Sequence, residues 1–298
     1  MQSHLPSVHA YADDTQLYLS FKPSDSMGEA NAIAAMENCI RDVREWMRSN
    51  MLCLNDDKTE FLLVGSRQQL AKVSVNSIKV GATDVSPSSS VRNLGAWFDS
   101  HMDMSTHISK TCGTAFYYLY NIRHIRKYLS KDHTEQLIHA FITSRLDYCN
   151  SLLYGVPDCQ VKKLQRVLNA SVRLIYRVPK FSHITSFIKE LHWLPVRARI
   201  EFKMLLITFK VINDLAPKYL SDLIQVQPAV SRYNLRSSQN GTLLTRCTIK
   251  TKKTMGDRAF AVAAPVLWNK LPIYIRQSAS VNIFKKLLKT YLFKLYYD

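Results

Sequence analysis

Hydrophobic positions recur along the chain with two different periods, and the change between them lies near residue 103. Before that point, apolar residues come in short runs of strand length separated by turn-forming residues, with one helix-like stretch among them. After it, apolar residues recur at every third or fourth position over long segments, which is the helical period. The pattern predicts an α+β front part followed by a mostly α-helical remainder.

The pattern in the front part predicts a small unit of short antiparallel strands with one helix. Two strands are predicted on either side of a turn that holds Asp13 and Asp14, at residues 8–12 and 16–21. A helix is predicted from the capping residues around Asp25 to about Asn50, because apolar residues follow there at spacings of three and four. Further short strands are predicted at residues 51–54, 60–64, 77–80 and 91–98.

The remainder predicts a series of helices separated by prolines. Ser130 and Asp158 have side chains typical of helix N-caps. Helical segments are predicted at residues 105–128, 131–148, 158–177, 196–213, 217–224 and 281–297. Residues 226–254 are polar, rich in Ser, Thr and Arg, and without clear periodicity, so they predict a loop or a partly disordered arm.

The composition is that of a globular chain. Apolar residues make up 47% of it, and 8 Gly and 10 Pro are too few for a disordered or fibrous protein. No apolar run approaches the roughly 20 residues of a membrane-spanning helix, and the N-terminus lacks the basic start and apolar stretch of a signal peptide. The 6 cysteines include no C-x-x-C pair, which disfavours a zinc site or a disulfide framework and favours buried thiols in a reducing compartment.

The net charge of +17 is divided unevenly between the two parts. Residues 1–104 contain 9 Lys+Arg against 13 Asp+Glu, and residues 105–298 contain 31 against 10, so the balance changes from −4 to +21. A surplus of this size is the usual electrostatic footprint of a protein that binds phosphate backbones. Nucleic acid is therefore the expected partner. Acidic proteins, membrane surfaces and a merely soluble basic surface are the alternatives.

The adjacent carboxylates Asp13 and Asp14 have the clearest chemical content in the sequence. Mg²⁺ prefers hard oxygen ligands and usually takes one or two carboxylates together with substrate phosphates. Two such ions activate an attacking hydroxyl and stabilise the leaving oxygen in phosphoryl transfer. A turn allows both carboxylates to act at one place, whereas neighbours within a strand face opposite ways. The pair predicts a magnesium site, and an ordinary Asp-Asp hairpin turn is the alternative.

Several short sequence segments, called phrases below, resemble known motifs, and the order in which they occur along the chain is informative. Residues 11–14 read Tyr-Ala-Asp-Asp, residues 54–60 read Leu-Asn-Asp-Asp-Lys-Thr-Glu, and residues 94–99 read Leu-Gly-Ala-Trp-Phe-Asp. Four later phrases lie at residues 146–150, 191–195, 264–272 and 284–293. In this order they resemble the C-terminal part of the reverse transcriptase of LINE-type (non-LTR, jockey-like) retrotransposons. The first three are similar to the Y-x-D-D palm hairpin, the next palm motif and the primer grip, and the later four to the tails of such elements.

The resemblance implies a domain order as well as a metal site. It implies a partial reverse-transcriptase palm of short antiparallel strands plus one helix at residues 1–103, a helical thumb at 104–180 and a helical, basic C-terminal region at 181–298. Asp13 and Asp14 would be catalytic ligands of Mg²⁺. In the complete protein they would serve two-metal nucleotidyl transfer by an RNA-directed DNA polymerase.

Residues downstream of the Asp pair also acquire expected roles from the resemblance. Lys58 matches a motif lysine that protonates the departing pyrophosphate, which suits a side chain that stays charged and can donate a proton. Its alternative is a surface lysine paired with Asp56, Asp57 or Glu60. The primer end would be held by residues 94–98, which include Leu94, Gly95 and Trp97, and a simple buried strand is the alternative there.

The thumb reading is supported by a basic helix face. Residues 158–177 place five cations opposite an apolar face, as sequence-independent phosphate contact requires; the cations are Lys162, Lys163, Arg166, Arg173 and Arg177. Arg123, Arg126 and Lys127 are expected to add to this surface, and a solvated helix face is the alternative. The aromatic residues Tyr117, Tyr118 and Tyr120 are interpreted as core rather than as base-stacking platforms.

The resemblance also indicates parts that have no counterpart upstream of Tyr11: the fingers that hold the incoming nucleotide and a strand with another metal-binding Asp. We therefore expect a fragment, from a truncated genomic copy or a partial gene, that does not polymerise alone. The expected partners are an RNA template and a DNA primer, with deoxynucleoside triphosphates only if fingers are present, and no membrane. The expected location is intracellular, with the nucleus left open. A non-catalytic RNA- or DNA-binding remnant and a pseudogene product without function are the alternatives.

Overall fold

The computed structural model describes residues 7–224, 243 and 255–298. The chain forms two compact units, Met1–Thr106 and His107–Asp298. Of the described residues, 60% are helical, and these residues also contain three small two-stranded antiparallel sheets. The predicted α+β class is thus confirmed.

Each sheet of the first unit is a β-hairpin of two consecutive strands. The pairs are β1 (Ser7–Tyr11) with β2 (Asp14–Tyr18), β3 (Ile78–Val80) with β4 (Thr83–Val85), and β5 (Ser90–Asn93) with β6 (Ala96–Asp99). Two residues connect the strands of each pair, which is the common length of a tight hairpin turn. The hairpin predicted around Asp13 and Asp14 is confirmed, with its second strand beginning at Asp14.

The helix α1 (Ser26–Ser49) packs on a small apolar core in the first unit. Asp25 caps its N-terminus, since the Asp25 side chain accepts a hydrogen bond of 2.9 Å from the Gly28 N–H. Ile40 is buried on its inner face together with Ile78 and Val80 of β3. Partly buried residues from β2 and from the segment after α1 pack against this cluster, namely Leu17, Leu54 and Phe61. The predicted extent of the helix is confirmed.

Two of the strands predicted after α1 are wrong. Residues 51–54 form no strand, and of residues 60–64 only Phe61 is paired, in an isolated bridge with Pro87. Single apolar residues of these segments pack against the core, but the backbone forms no strand ladder. The strand-like composition was therefore misleading. The four-residue helix α2 (Arg67–Leu70) was not predicted. A capping box between Ser66 and Gln69 stabilises its N-terminus.

Helices follow one another from Ser105 onward in the described part of the chain. They are α3 (Ser105–Ile125), α4 (Lys131–Ile138), α5 (Ser144–Asp147), α6 (Asp158–Tyr176), α7 (Thr185–Glu190), α8 (Val196–Ile212), α9 (Lys218–Ser221), α10 (Phe260–Asn269), α11 (Ile273–Arg276) and α12 (Val281–Tyr297). A π-helical turn, His139–Thr143, joins α4 to α5. No helix in this part of the chain has the length and apolar content needed to cross a lipid bilayer.

The long helices match the predicted segments, and the short ones do not. The segments predicted at 105–128, 131–148, 158–177, 196–213 and 281–297 are confirmed within a few residues. The segment predicted at 217–224 contains only the short α9, and α7, α10 and α11 were not predicted. α10 shows no amphipathic period because it is apolar on nearly all sides, and it contains Pro265. Most of the polar arm predicted at 226–254 lies outside the described residues.

The two predicted N-caps have different outcomes. Ser130 caps α4, since its hydroxyl accepts a 3.1 Å hydrogen bond from the His133 N–H. Asp158 is instead the first residue of α6, and Pro157 occupies the N-cap position without a side-chain bond. The Asp158 carboxylate forms an ion pair with Arg197 of α8. A carboxylate in the first helical turn is still favourable to the helix dipole.

Aromatic residues from three helices form the centre of the core in the second unit. Phe209 of α8 and Phe284 of α12 stack at 4.3 Å between ring centroids, and Trp268 of α10 lies 5.9 Å from Phe284. All three side chains are almost completely buried. α8 is therefore the helix against which α10 and α12 pack.

Candidate functional site

The first hairpin presents the two carboxylates at its tip. Asp13 is the second residue of the two-residue turn, and Asp14 is the first residue of β2, paired with Tyr11. Residues 11–15 are all exposed, and Tyr11 retains 65% of its exposable surface. Ala12, the first turn residue, has φ of 54°, in the left-handed region that residues with a Cβ rarely adopt. The chain thus bends sharply at Ala12 and leaves both acids facing solvent.

This tip has the ligand type that Mg²⁺ prefers, but it offers few ligands. Asp13 and Asp14 supply adjacent hard oxygens, so they fit a divalent cation as two of its ligands. Within the described residues, no group of three or more His, Cys, Asp or Glu side chains is arranged to hold a metal. A cation at this tip would therefore depend on oxygen ligands from water or from a bound phosphate for the rest of its coordination.

Lys58 ends a short 3₁₀ turn, Asp56–Lys58, in the same unit. The Asn55 side chain caps this turn by accepting a 3.3 Å hydrogen bond from the Lys58 N–H. Asp56 forms its ion pair with Arg44 of α1, and among the described residues Lys58 has no ion pair with an acid. Lys58 is thus a surface lysine, but the expected alternative of an ion pair with Asp56, Asp57 or Glu60 is wrong. Lys58 is exposed, and its charge is available to a ligand.

One apolar cluster connects the Asp hairpin with the turn that carries Lys58. Leu17 follows the Asp pair in β2, and Leu54 precedes the 3₁₀ turn. Both side chains pack against the core formed by α1 and β3. The fold of the first unit thus supports both motifs from a shared core.

The third hairpin turns at Leu94 and Gly95, where a single strand was predicted over residues 91–98. Both residues have positive φ, 44° for Leu94 and 82° for Gly95, as a type I′ turn requires. Leu94 is 40% exposed at the tip, Ala96 is buried and Trp97 is half-buried. The alternative of a simple buried strand is therefore wrong for Leu94. The predicted strand contains two turn-forming residues, Asn93 and Gly95, and these are the sequence signal for this reversal.

A pair of acids at the end of β6 was not singled out from the sequence. Asp99 is buried, and its Oδ1 accepts a 2.9 Å hydrogen bond from the Asp103 N–H. Burial raises the pKa of Asp99. Burial acts in the same direction on Asp103, but hydrogen bonds from Ser105 outweigh it and lower the pKa of Asp103. Asp103 Oδ1 accepts one of these from the Ser105 N–H at 2.8 Å, so the pair secures the start of α3.

The predicted basic face of α6 is present, but its five cations do not have equal freedom. Lys162, Lys163 and Arg166 are exposed, and no acid in the described residues forms an ion pair with them. Arg173 is half-buried and makes a long 3.5 Å hydrogen bond to the Ser182 carbonyl. Arg177 donates to the Arg126 carbonyl at 3.0 Å. The first half of α6 therefore holds the cations best placed to meet a phosphate backbone.

Arg126 was expected on this basic surface, and that expectation is wrong. Its side chain is buried, and its guanidinium donates to three carbonyls: Leu174 at 2.9 Å, Ile175 at 2.7 Å and Leu129 at 2.7 Å. Two of these belong to the last turn of α6, where carbonyls lack helical partners. Arg126 therefore closes the C-terminus of α6. Its neighbours Arg123 and Lys127 are exposed, as expected.

Aromatic residues of α3 are more exposed than the sequence suggested. Tyr117 and Tyr120 keep 62% and 60% of their exposable surface, so the interpretation of these two as core is wrong. Tyr118 is half-buried, stacks on Phe141 at 5.1 Å, and receives a hydrogen bond from Arg145. α3 has a narrow buried face, and the rest of its surface combines tyrosines with cations.

The later phrases at residues 146–150, 191–195 and 264–272 have structural roles in the second unit. Asp147 pairs with Arg199 at 2.7 Å, and Arg199 lies over the ring of the buried Trp193. The Asn269 amide makes two hydrogen bonds with the backbone of Leu243, at 3.0 and 2.9 Å. These phrases stabilise the fold.

Comparisons of this chain with protein families, curated proteins and solved structures give no match.

Proposed function

We propose that this chain is the C-terminal part of a LINE-type reverse transcriptase, with its first unit derived from the palm and its second unit from the thumb and tail. In the complete enzyme, Asp13 and Asp14 hold Mg²⁺ and Lys58 acts as general acid. The chain by itself binds an RNA template paired with a DNA primer and does not extend the primer. The main support is the adjacent, exposed acids at the tip of a two-residue hairpin turn.

The chemistry follows from the groups at this tip. A bound magnesium ion would activate the primer hydroxyl and stabilise the departing pyrophosphate. Asp13 and Asp14 would fix the cation, and Lys58 would supply a proton to the leaving oxygen. Because no third metal-binding side chain accompanies the pair in the described residues, the cation is held weakly, and positioning supplies most of the catalysis in phosphoryl transfer. The proposal therefore includes inactivity of the chain alone.

A second candidate, a binding protein without chemistry, is favoured by the basic face of α6. Lys162, Lys163 and Arg166 are exposed on a unit with a large positive balance. Such a face meets a phosphate backbone without reading its sequence. In this case the acids at Asp13 and Asp14 would form only a turn.

One experiment separates these candidates. The chain and the variant Asp13→Ala/Asp14→Ala are compared for primer extension on poly(rA)/oligo(dT) with Mg²⁺, for Mn²⁺ binding by electron paramagnetic resonance, and for primer–template binding. The matched control, Glu45→Ala/Asp84→Ala, removes two other exposed acids of the first unit. We expect no extension, weak Mn²⁺ binding lost only in the Asp13/Asp14 variant, and primer–template binding in all three proteins.

The other outcomes are equally informative. Extension that disappears in the Asp13/Asp14 variant would make the chain a working polymerase and contradict the proposed inactivity. Mn²⁺ binding that is the same in all three proteins would leave only the binding protein. Absence of primer–template binding would overturn both candidates.

A further inference from the structure

A cavity of about 530 Å³ that is partly open to solvent lies in the second unit. Its walls come from the segment before α6, from α6, α8 and α10, and from the turn before α10. Seven aliphatic side chains line it, namely Leu153, Val156, Val161, Ile200, Val262, Ala263 and Val266. Its polar lining residues are Tyr154, Arg197, Glu201, Asp257 and Arg258. The volume lies within the range of about 300–1,000 Å³ that is typical of small-molecule sites, and apolar walls with a few polar groups are typical of them as well.

Glu201 and Asp257 are the two carboxylic acids that line this cavity, and Glu201 is the more buried of them. The Tyr296 hydroxyl donates to Glu201 Oε1 at 3.0 Å, and the carboxyl group can accept further hydrogen bonds. Burial raises the pKa of Glu201, whereas the hydrogen bond from Tyr296 and the charges of Arg197 and Lys270 act in the opposite direction. A half-buried carboxylate of this kind is best satisfied by N–H donors of a ligand.

The wall next to Glu201 is fixed rather than loose. Arg258 donates to the Tyr154 carbonyl at 3.0 Å and to the Leu152 carbonyl at 3.3 Å. Gly155 permits this approach, because a Cβ there would lie 2.6 Å from Arg258 Cγ and the residue has φ of 71°. These bonds hold the segment before α6 against the 3₁₀ turn Gly256–Arg258, which precedes α10. A preformed cavity loses little entropy when a ligand enters.

We propose that this cavity binds a keto-type nucleobase, guanine or uracil, whose ring N–H donates to Glu201 and whose adjacent carbonyl accepts from Arg197. The ion pair of Arg197 with Asp158 uses one end of the guanidinium, which has five N–H donors in all. The aliphatic walls cover the faces of the ring, as apolar side chains do for bases taken out of a stack. We take the base to belong to a bound single strand, and in this respect the inference rests on the proposed nucleic-acid function. A free nucleotide presents the same chemistry.

The charges around the cavity favour a neutral ligand that is both donor and acceptor. Two cations and two acids line it, Arg197, Arg258, Glu201 and Asp257, so a strongly charged group gains little there. Adenine and cytosine carry a ring acceptor where guanine and uracil carry the N–H. In adenine or cytosine, that ring acceptor would face the lone pairs of Glu201 without a proton between them. Two acceptors facing each other repel, so the site would discriminate strongly against adenine and cytosine.

Calorimetric titration of the full chain with GMP, UMP, AMP and CMP tests the assignment. We expect GMP and UMP to bind at least about tenfold more tightly than AMP and CMP, the effect of one hydrogen bond to a charged acceptor. Glu201→Gln should remove this preference. The control Glu190→Gln, which changes an exposed carboxylate on α7, should keep it.

A second variant tests the cavity without changing Glu201, in case Glu201→Gln loses binding because it folds poorly. Val266→Phe narrows the cavity from α10 without altering the carboxylate, and Val266 is 37% exposed, so a larger side chain is tolerated there. It should weaken GMP and UMP binding at an unchanged thermal unfolding midpoint. Equal binding of the four nucleotides, or a keto preference that survives both variants, would overturn the inference.

Short uridine and adenosine oligonucleotides distinguish the two sources of the base. A uridine preference that Glu201→Gln abolishes would identify a base of a bound strand as the ligand. Keto-selective binding of monophosphates without oligonucleotide binding would support the cavity as a free-nucleotide site while contradicting the proposed nucleic-acid function. The two proposals therefore fail separately.

Discussion

Left-handed backbone at residues other than glycine occurs at two hairpin turns that carry candidate functional residues of the first unit. Ala12 has φ of 54° beside the Asp pair, and Leu94 has φ of 44° at the tip of the third hairpin. A residue with a Cβ is destabilised there by about 1–2 kcal/mol, and such strain is common at functional sites. Asn or Gly is the usual choice at the Leu94 position of a type I′ turn. A large, exposed apolar side chain at this strained tip is consistent with the proposed primer contact.

Replacement of Leu94 by Asn should therefore stabilise the protein while weakening its proposed contact with the primer. Asn tolerates the left-handed conformation, so we expect the free energy of unfolding to rise by about 0.5–1 kcal/mol in urea titrations. The control Leu52→Asn removes another exposed leucine, 51% exposed, at a position without positive φ, and should leave the free energy of unfolding nearly unchanged. A Leu94→Asn protein that is less stable than the parent would contradict the turn assignment.

At the scale of elements, the sequence predicted what a regular period can encode. The long helices α1, α3, α6, α8 and α12 follow from apolar residues at spacings of three and four. The short α7 and α11 span too few residues for a period, and α10 is buried on most sides. The Asp hairpin was predicted because two strand-like runs flank it. Residues 91–98 were instead interpreted as one strand, although the turn-forming residues Asn93 and Gly95 lie in its middle.

Side-chain roles on these helices were harder to predict than the helices themselves. Sequence places Arg123 and Arg126 together among the basic residues at the end of α3, yet one is exposed and the other is buried against the last turn of α6. The partner of Arg126 is 48 residues away, and no local pattern encodes that distance. The same holds for the cavity around Glu201, whose lining comes from segments far apart in sequence.

Arg126 should therefore contribute to the free energy of unfolding, whereas its neighbour Arg123 should contribute only to the surface charge. In Arg126→Met, the carbonyls of Leu174 and Ile175 lose their donor inside the protein, and we expect a loss of about 2–4 kcal/mol in the free energy of unfolding. Arg123→Met changes the same residue type on the surface and should cost less than about 0.5 kcal/mol. Thermal or urea unfolding of both variants checks this contrast. Equal losses would show that the bonds from Arg126 to α6 do not determine the stability of this end.

At the scale of the whole molecule, charge separates the two units. The first unit carries 9 Lys+Arg against 13 Asp+Glu, and the second carries 31 against 10. A phosphate backbone is attracted by the second unit and repelled on balance by the first. This division is compatible with a metal-dependent tip in the acidic unit, where a cation rather than a lysine cluster would meet the phosphate. It also predicts where the salt dependence of binding originates.

Each cation that neutralises a phosphate contributes about 0.9 to the slope of the logarithm of the binding constant against the logarithm of salt concentration. The triple variant Lys162→Gln/Lys163→Gln/Arg166→Gln should therefore lower that slope by about 2–3 for a primer–template duplex. The control Arg67→Gln/Lys72→Gln/Lys79→Gln removes the same net charge from exposed positions of the first unit and should lower it by less than about 1. Fluorescence anisotropy over a range of salt concentrations measures both slopes. If the two variants lower the slope equally, binding responds to net charge alone and the face of α6 has no special role; if only the α6 variant does so, the duplex lies along α6.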